Sequence, residues 1–448
     1  MKKYFLICLI GILSLTACRT VKEARQVQRE VNLPPGQRTI KADEIGLNKD
    51  TVLTLDQAIE IGLKYNPSIV QAQEQLNTAK SGLKTARSAY YPQVKAGDTY
   101  SIGSSKKAPD ADGTNKIEIS LSQLVFDFGK TSASVRKAYF DALAAEYSLA
   151  SSQTGLIASI KKAYYGVAQQ EMAIRLAEET LQQSEKYLEQ AKVRVEVGKG
   201  IKYDITSAEV GVGNARLALI SARNDLFANR QVLNNVLGLA EEPNYRIDNL
   251  SLSLTPTDIS SSSISQLVDL AKANNPDLKA QEARVKSASS GIDTAIVALY
   301  PFLIAGSYDF TGSKFPLDWT RALSASLNID IFTGGKKEEA IKSAVANLKS
   351  ARSALSSLEQ KLYLNVSNAL NQMQNAYQQL AVNNLVLQQA QENLALIEER
   401  YRLGSASSVE LTQAQGLLTV SKKGLITSQF SYLNAKAELD KLVLDAGK

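Results

Sequence analysis

Histidine is absent from all 448 residues, and only two cysteines, three methionines, ten prolines and one tryptophan occur. Without histidine, His-rich zinc centres, Ser-His and Cys-His nucleophilic pairs and imidazole general bases are excluded together. Phosphate loops are missing too. Neither GxxxxGK[ST] nor GxGxxG occurs, and the Gly334-Gly335-Lys336 triplet lacks the upstream glycine and the following Ser or Thr of a phosphate cradle. The scarcity of Cys and Met argues against dedicated soft-metal handling. With 51 basic and 45 acidic residues the charge is too evenly balanced for a nucleic-acid binder. The expectation is a chain that is not an enzyme and carries no cofactor or metal.

The start of the chain supplies an address. Lys2 and Lys3 are followed by an apolar run from Tyr4 to Leu13 and then by Leu15-Thr16-Ala17-Cys18. This order reads as a lipoprotein signal over 1–17, cut before Cys18, whose thiol is then acylated. The apolar run is shorter than the roughly 20 residues of a membrane-spanning helix. Cys8 leaves with the signal, so Cys18 has no partner for an internal disulfide. Residues 18–50, with Pro34-Pro35-Gly36, read as a polar tether between the anchor and the body.

What is abundant is repetition. Asn66-Pro67, Tyr91-Pro92 and Gly97 recur 209 residues later as Asn275-Pro276, Tyr300-Pro301 and Gly306. Gly129-Lys130, Gly198 and Thr206 recur 206 residues later as Gly335-Lys336, Gly404 and Thr412. A near-constant offset across matching structure breakers indicates duplication of a whole unit. The copies are placed at 51–239 and 264–448, joined by a linker at 240–263 that carries Pro243, Pro256 and a serine run.

Each copy contains 68 residues free of proline, 130–197 and 336–403, long enough for one helix of roughly 100 Å. Such a rod must bury a stripe against other rods. Ile174, Ala177, Leu181, Ser184, Leu188, Ala191 and Val195 follow the alternating three-and-four step of side-by-side helices, as do Leu387, Ala390, Leu394, Ile397 and Tyr401. Alone the stripe fits a two-stranded coiled coil equally well; abundant alanine favours close neighbours on two sides and hence a wall of helices. Gly198 and Gly404 then end the rods, and returning helices are expected over 204–237 and 410–444. Asp204 and Glu410 fall at the starts of these helices, where a carboxylate meets the positive end of the helix dipole. Short helices are expected over Asp56–Tyr65 and Ser265–Asn274, stopped before Asn-Pro.

Upstream of each rod lie paired segments of period two. Val94, Ala96, Tyr100 and Ile102 share a face, as do Ile117, Ile119 and Leu121; the second copy offers Phe302, Ile304, Tyr308 and Phe310, then Leu323, Leu327, Ile329 and Ile331. Strands are expected at about 93–103, 115–125, 302–311 and 321–331, with polar loops at Ser104–Thr114 and Gly312–Thr320, the second holding Trp319. Four strands cannot close a barrel, and open edges are not tolerated in lipid, so several chains must share one barrel if these strands cross a membrane.

In order, spacing and duplication these motifs resemble the TolC family of bacterial outer-membrane efflux and secretion proteins. The matching residues are Leu55-Asp56-Gln57-Ala58-Ile59, Asn66-Pro67, Tyr91-Pro92, Phe126-Asp127-Phe128-Gly129-Lys130 and Arg194-Val195-Glu196-Val197-Gly198 with Asp204. The second copy supplies Asn275-Pro276, Tyr300-Pro301, Phe332-Thr333-Gly334-Gly335-Lys336 and Arg400-Tyr401-Arg402-Leu403-Gly404 with Glu410. The resemblance implies a mainly α chain with a small β part. It further implies a homotrimer with one 12-stranded β-barrel in the outer membrane, continued by a 12-helix α-barrel into the periplasm.

Function follows from the same resemblance: a passive exit duct whose tips meet a periplasmic adaptor protein and, through it, an inner-membrane pump of the RND or ABC type. Asp204, Glu410 and Tyr401 would lie at the entrance constriction, and Arg194, Gly198, Arg400 and Gly404 at the adaptor-contacting tips. The chain departs from the family pattern at Ala406, where an arginine would tie adjacent hairpins, and at Gln413, where a second acid would sit. That implies one ring of acids and a looser lock. Small-molecule efflux is the expected role; the alternatives are a type I protein-secretion outlet and, from another class, a lipid-anchored periplasmic coiled-coil spacer. Only the duct requires the four alternating segments.

Overall fold

The structure, a computed structural model, describes residues 20–28, 47, 51–105, 108–198, 200–239, 245–248, 264–300, 304–312, 319–327 and 332–443. The expected signal, Cys18, most of the tether and most of the linker lie outside the described residues, as do Phe302, Ile329 and Ile331. Helix α1 covers residues 20–28. The first copy then runs β1 (Val52–Leu53), α2 (Leu55–Tyr65), α3 (Pro67–Ser88), β2 (Gln93–Ser105), β3 (Ala108–Phe126), α4 (Lys130–Glu196) and α5 (Lys202–Leu237). The second runs β4 (Arg246–Ile247), α6 (Ile264–Asn274), α7 (Pro276–Val297), β5 (Ile304–Gly312), β6 (Trp319–Leu327), α8 (Lys336–Arg402) and α9 (Ser408–Val443).

The rods α4 and α8 are single helices of 67 residues each. Along the half nearer the glycine turns, the neighbours run α5, α4, α9, α8; along the other half they run α3, α4, α7, α8. One residue explains the first junction. Asn66 closes α2, its Oδ1 accepts from the Ser68 amide at 2.8 Å to start α3, and its Nδ2 donates to the Val236 carbonyl at 2.7 Å. The α3 helix is thereby stacked on the end of α5. In the second copy Asn275 Oδ1 accepts from the Leu278 amide at 3.1 Å, and Asn274 Nδ2 donates to the Val443 carbonyl at 3.2 Å, stacking α7 on α9.

Neither α3 nor α7 is foreseen by the periodicity. In α3 only Ile69, Ala72 and Leu76 are buried, so its stripe fades after two turns. The Asn-Pro pair is also a start signal as well as a stop, because Pro67 occupies the first turn, where no amide is required.

The main core lies mid-rod and gathers Leu53, Ile160, Tyr164, Leu233, Leu237 and Phe430. The Tyr164 hydroxyl donates to the Leu53 carbonyl at 2.9 Å and accepts from the Asp248 amide at 3.2 Å, which fastens the parallel β1–β4 ribbon to α4. Gly62 lets α2 lie directly on α4: a Cβ there would fall 2.4 Å from Ile160 Cδ1. Toward the turns, Arg216–Glu185, Arg223–Glu178 and Arg230–Glu171 pair at 3.2, 3.3 and 3.2 Å. Both partners step by seven in opposite directions, so this ladder fixes the register of the α4–α5 hairpin.

The four strands form one antiparallel sheet in the order β2-β3-β5-β6. Its register sorts residues by chemistry. Val94, Leu121, Tyr308 and Leu323 form a row on one face, with Ala96, Ile119, Phe310 and Arg321 beside it. Gln93, Ser122, Ser307 and Ser324 form a row on the other, as do Gly97, Glu118, Thr311 and Thr320. The apolar face is bare in the single chain, with Val94 70% and Leu323 84% exposed. Two loop expectations are corrected. Strand β3 begins at Ala108 and pairs up to Ser105, so Ser104–Thr114 is largely ladder; backbone pairing does not require apolar alternation. Trp319 opens β6 opposite Gly312 and is not in a loop.

Candidate functional site: the hairpin tips

At one end of the rods, α4 turns into α5 and α8 into α9. Gly198 and Gly404 sit at φ +77° and +81°, the left-handed conformation that ends a helix and that L residues with side chains resist. The side of Gly404 on which a Cβ would project is open, so conformation and not crowding selects glycine there. The guanidinium of Arg400 donates to the Ser405 carbonyl at 3.1 Å and closes the second turn on itself.

At the very tips, two contacts join the hairpins. The Arg194 guanidinium on α4 donates to the Tyr401 carbonyl on α8 at 2.5 Å and lies 4.4 Å from the centroid of the Tyr401 ring. Ser408, at the start of α9, donates to Asp204 Oδ1 at 2.6 Å, while Asp204 Oδ2 accepts from the Ile201 amide at 3.0 Å. Asp204 therefore caps α5 and bridges to the other hairpin at once. At the tips the two hairpins of the chain are thus tied by Arg194 and by Ser408.

Glu410 behaves differently. Its carboxylate accepts from the Ser407 amide at 2.8 Å and Ser407 Oγ accepts from the Glu410 amide at 3.2 Å, a capping box confined to α9. It is exposed and touches no residue of the first hairpin through a hydrogen bond among the described residues. Tyr401 is buried among Leu394, Leu411, Ala414 and Leu418, as the stripe requires. Burial pushes its phenol up; the Arg194 charge opposes this shift and the Asp204 charge adds to it.

A third cross-link, between Tyr187 on α4 and Glu398 on α8, has no counterpart in the sequence reading. The Tyr187 hydroxyl donates to the Glu398 carboxylate and accepts from Gln183 Nε2 at 3.2 Å. Its phenol is pushed up to about 12, first by burial and then by the Glu398 carboxylate. Tyr187 lies one position before Leu188 of the expected stripe, and a tyrosine at the edge of a heptad face is the one signal that would have found it.

The model of the family described as "Outer membrane efflux protein" matches residues 58–239 and 267–443, most of the chain and both copies. The chain belongs to the outer membrane efflux protein family. It is 25% identical over 400 residues to the outer membrane efflux protein BepC of Brucella suis, covering 86% of this chain and 84% of BepC. The fold is shared with the crystal structure of CusC at a TM-score of 0.78 and 17% identity, over 87% of this chain and 92% of that one. It is likewise shared with the open-state MtrE outer membrane channel of Neisseria gonorrhoeae at a TM-score of 0.77 and 20% identity, over 88% and 89% of the two chains. Within that family fold, α4–α5 and α8–α9 are the two helical hairpins of one chain; near the tips they are joined by Arg194, Tyr187 and Asp204 of the first to Tyr401, Glu398 and Ser408 of the second, and farther along by Glu179 and Lys162 to Lys422 and Glu438.

Proposed function

We propose that three copies of this chain close into one outer-membrane duct that passively exports small molecules, docked through the hairpin tips to a periplasmic adaptor and an inner-membrane pump. The observation that carries this reading is the chain's two unmatched edges. Strand β2 and helix α5 lie at one side, strand β6 and helix α8 at the other. On α5, Val210, Leu217, Ile220 and Phe227 form an exposed apolar seam at heptad steps; on α8, Val382, Leu385, Leu396 and Leu403 form another. Joining one copy's β2–α5 edge to the next copy's β6–α8 edge covers both seams and both strand edges, and a head-to-tail contact of this kind makes a ring when the rotation closes. Three sheets of four strands give the closed barrel that lipid demands.

The bare apolar face of the sheet would then meet lipid and the Ser- and Thr-rich face the lumen. Phe126, Phe128 and Tyr300 cluster at the strand ends, with Phe128 and Tyr300 stacked at 5.3 Å, where an aromatic girdle belongs. Acylated Cys18 would hold the assembly to the inner leaflet, and three copies of exposed Glu410 would form a cation-favouring ring at the tip. Native mass of the full-length protein extracted from outer membranes in detergent tests the reading: three chains are expected, and a monomer or dimer would leave the lipid-anchored spacer as the better account.

A further inference from the structure

Helices α5 and α9 begin alike. Each is 36 residues long and carries a carboxylate at its third position, Asp204 or Glu410. That carboxylate accepts from the amide of the residue just before the helix, Ile201 at 3.0 Å or Ser407 at 2.8 Å. The second oxygen is where the two part. In Asp204, Oδ2 serves the cap and Oδ1 accepts from Ser408, the first residue of α9, at 2.6 Å. In Glu410, Oε2 serves the cap and Oε1 accepts no hydrogen bond among the described residues. Asp204 and Ser408 are partly buried where they meet, whereas Glu410 is exposed in the single chain, and so is Lys202, the first residue of α5.

We infer that Glu410 of each chain forms an ion pair with Lys202 of the next copy, tying the hairpin tips across the boundary between chains. The pair rests on the three-chain ring proposed above and names a contact within it. In such a ring first and second hairpins alternate, so the junction from a second hairpin to the next copy's first hairpin repeats the junction inside one chain. Rods and tips of the two copies keep a constant offset of 206 residues. Advancing the Asp204–Ser408 contact by one hairpin therefore puts Glu410 in place of Asp204 and Lys202 of the next copy in place of Ser408. The replacements are complementary: an acid keeps its acid, and the neutral donor becomes a cation. Both new side chains are also longer, so together they span at least the gap that Asp204 and Ser408 close. The same step turns Arg194–Tyr401 into Arg400 and Val195, with no ring for the guanidinium to cover, which leaves the ion pair a larger share of this tie. A cation beside each Glu410 also weakens the cation preference that three bare carboxylates would give.

The test is carbodiimide cross-linking of the full-length protein in outer membranes, since this reagent joins an amine to a carboxylate directly and only where the two touch. Full-length chains carrying Lys202→Gln and chains carrying Glu410→Gln are made in the same cells, so that a Lys202–Glu410 link can form only between chains. Glutamine at 410 keeps the capping box, because its side-chain oxygen still accepts from the Ser407 amide. The linked peptide pair is expected in digests of the mixed oligomer, with a yield that falls by about threefold or more in molar salt, as screening of an exposed pair requires. A native mass of three chains without that linked peptide would overturn the pair and leave the ring standing. A native mass of one or two chains would overturn the ring, and the pair with it.

Discussion

Arg194 and Tyr401 meet across the two hairpins in two ways at once, through a 2.5 Å bond to the Tyr401 carbonyl and a cation–ring contact at 4.4 Å. The planar guanidinium is needed for both, because it can stack on the ring while one nitrogen reaches the backbone. Arg194→Ala should weaken the link by ~1–3 kcal/mol, and Arg194→Lys should restore little of it. Single-channel conductance in planar bilayers checks this: both variants should conduct more than the parent. A lysine variant indistinguishable from the parent would show that charge alone matters.

The second tip turn separates folding from docking. Gly404 adopts φ +81° with open space where a Cβ would project. Gly404→Asn should therefore assemble normally, since asparagine tolerates this conformation. Gly404→Trp should assemble at a cost of ~1–2 kcal/mol yet fail in transport, because the bulk stands where an adaptor would approach. Oligomer mass alongside drug-susceptibility assays reads both; loss of the oligomer in the Trp variant would mean that the glycine serves folding alone.

Much of this architecture is legible in the sequence, and the rest is hidden for definite reasons. Glycines at the rod ends and heptad steps over 67-residue helices are strong local signals, and Leu394 and Tyr401 are buried as the stripe requires. Helices α3 and α7 are hidden because α3 buries only three side chains and those of α7 are mostly small or polar, Ala280, Gln281, Ala283, Ser287 and Ser290 among them; both gain their place by stacking on α5 and α9 through Asn66 and Asn274. The Tyr187–Glu398 and Arg194–Tyr401 links connect residues more than 200 positions apart, and no local pattern encodes which rod will face which.

Packing of α2 on α4 rests on one missing side chain. A Cβ at Gly62 would lie 2.4 Å from Ile160 Cδ1 in the main core, so Gly62→Ala should destabilise the fold by ~1–3 kcal/mol through overpacking. Thermal melts in detergent measure this. The double variant Gly62→Ala with Ile160→Val removes the offending methyl and should regain part of the loss.

Buried phenols set the alkaline limit. Tyr164 is pushed up to about 12 chiefly by burial, and Tyr187 to about 12 by burial and then by Glu398. An unfolded tyrosine loses its proton near pH 10. Between about pH 10 and 12 the folded chain therefore holds more protons than the unfolded one, so stability is intact below pH 10 and falls as pH rises through that window. Melting temperature followed from pH 8 to 12 should decline steeply above 10, and Tyr187→Phe should flatten part of the decline. An unaltered slope in that variant would assign the alkaline sensitivity elsewhere.

Neighbouring positions in β6 test which face of the sheet meets lipid. Leu323 continues the apolar row of Val94, Leu121 and Tyr308, whereas Ser324 lies opposite Ser307, with their hydroxyls 2.6 Å apart, on the polar face. Both lie near the middle of β6, so depth is nearly the same and only the side differs. A lysine facing the bilayer midplane costs ~2–4 kcal/mol, but one facing a water-filled lumen keeps its hydration. Leu323→Lys should therefore sharply reduce the oligomer recovered from outer membranes, and Ser324→Lys should leave the yield intact while altering ion selectivity. The reverse pattern would turn the sheet inside out, and equal loss in both would mean that this sheet does not line a water-filled barrel.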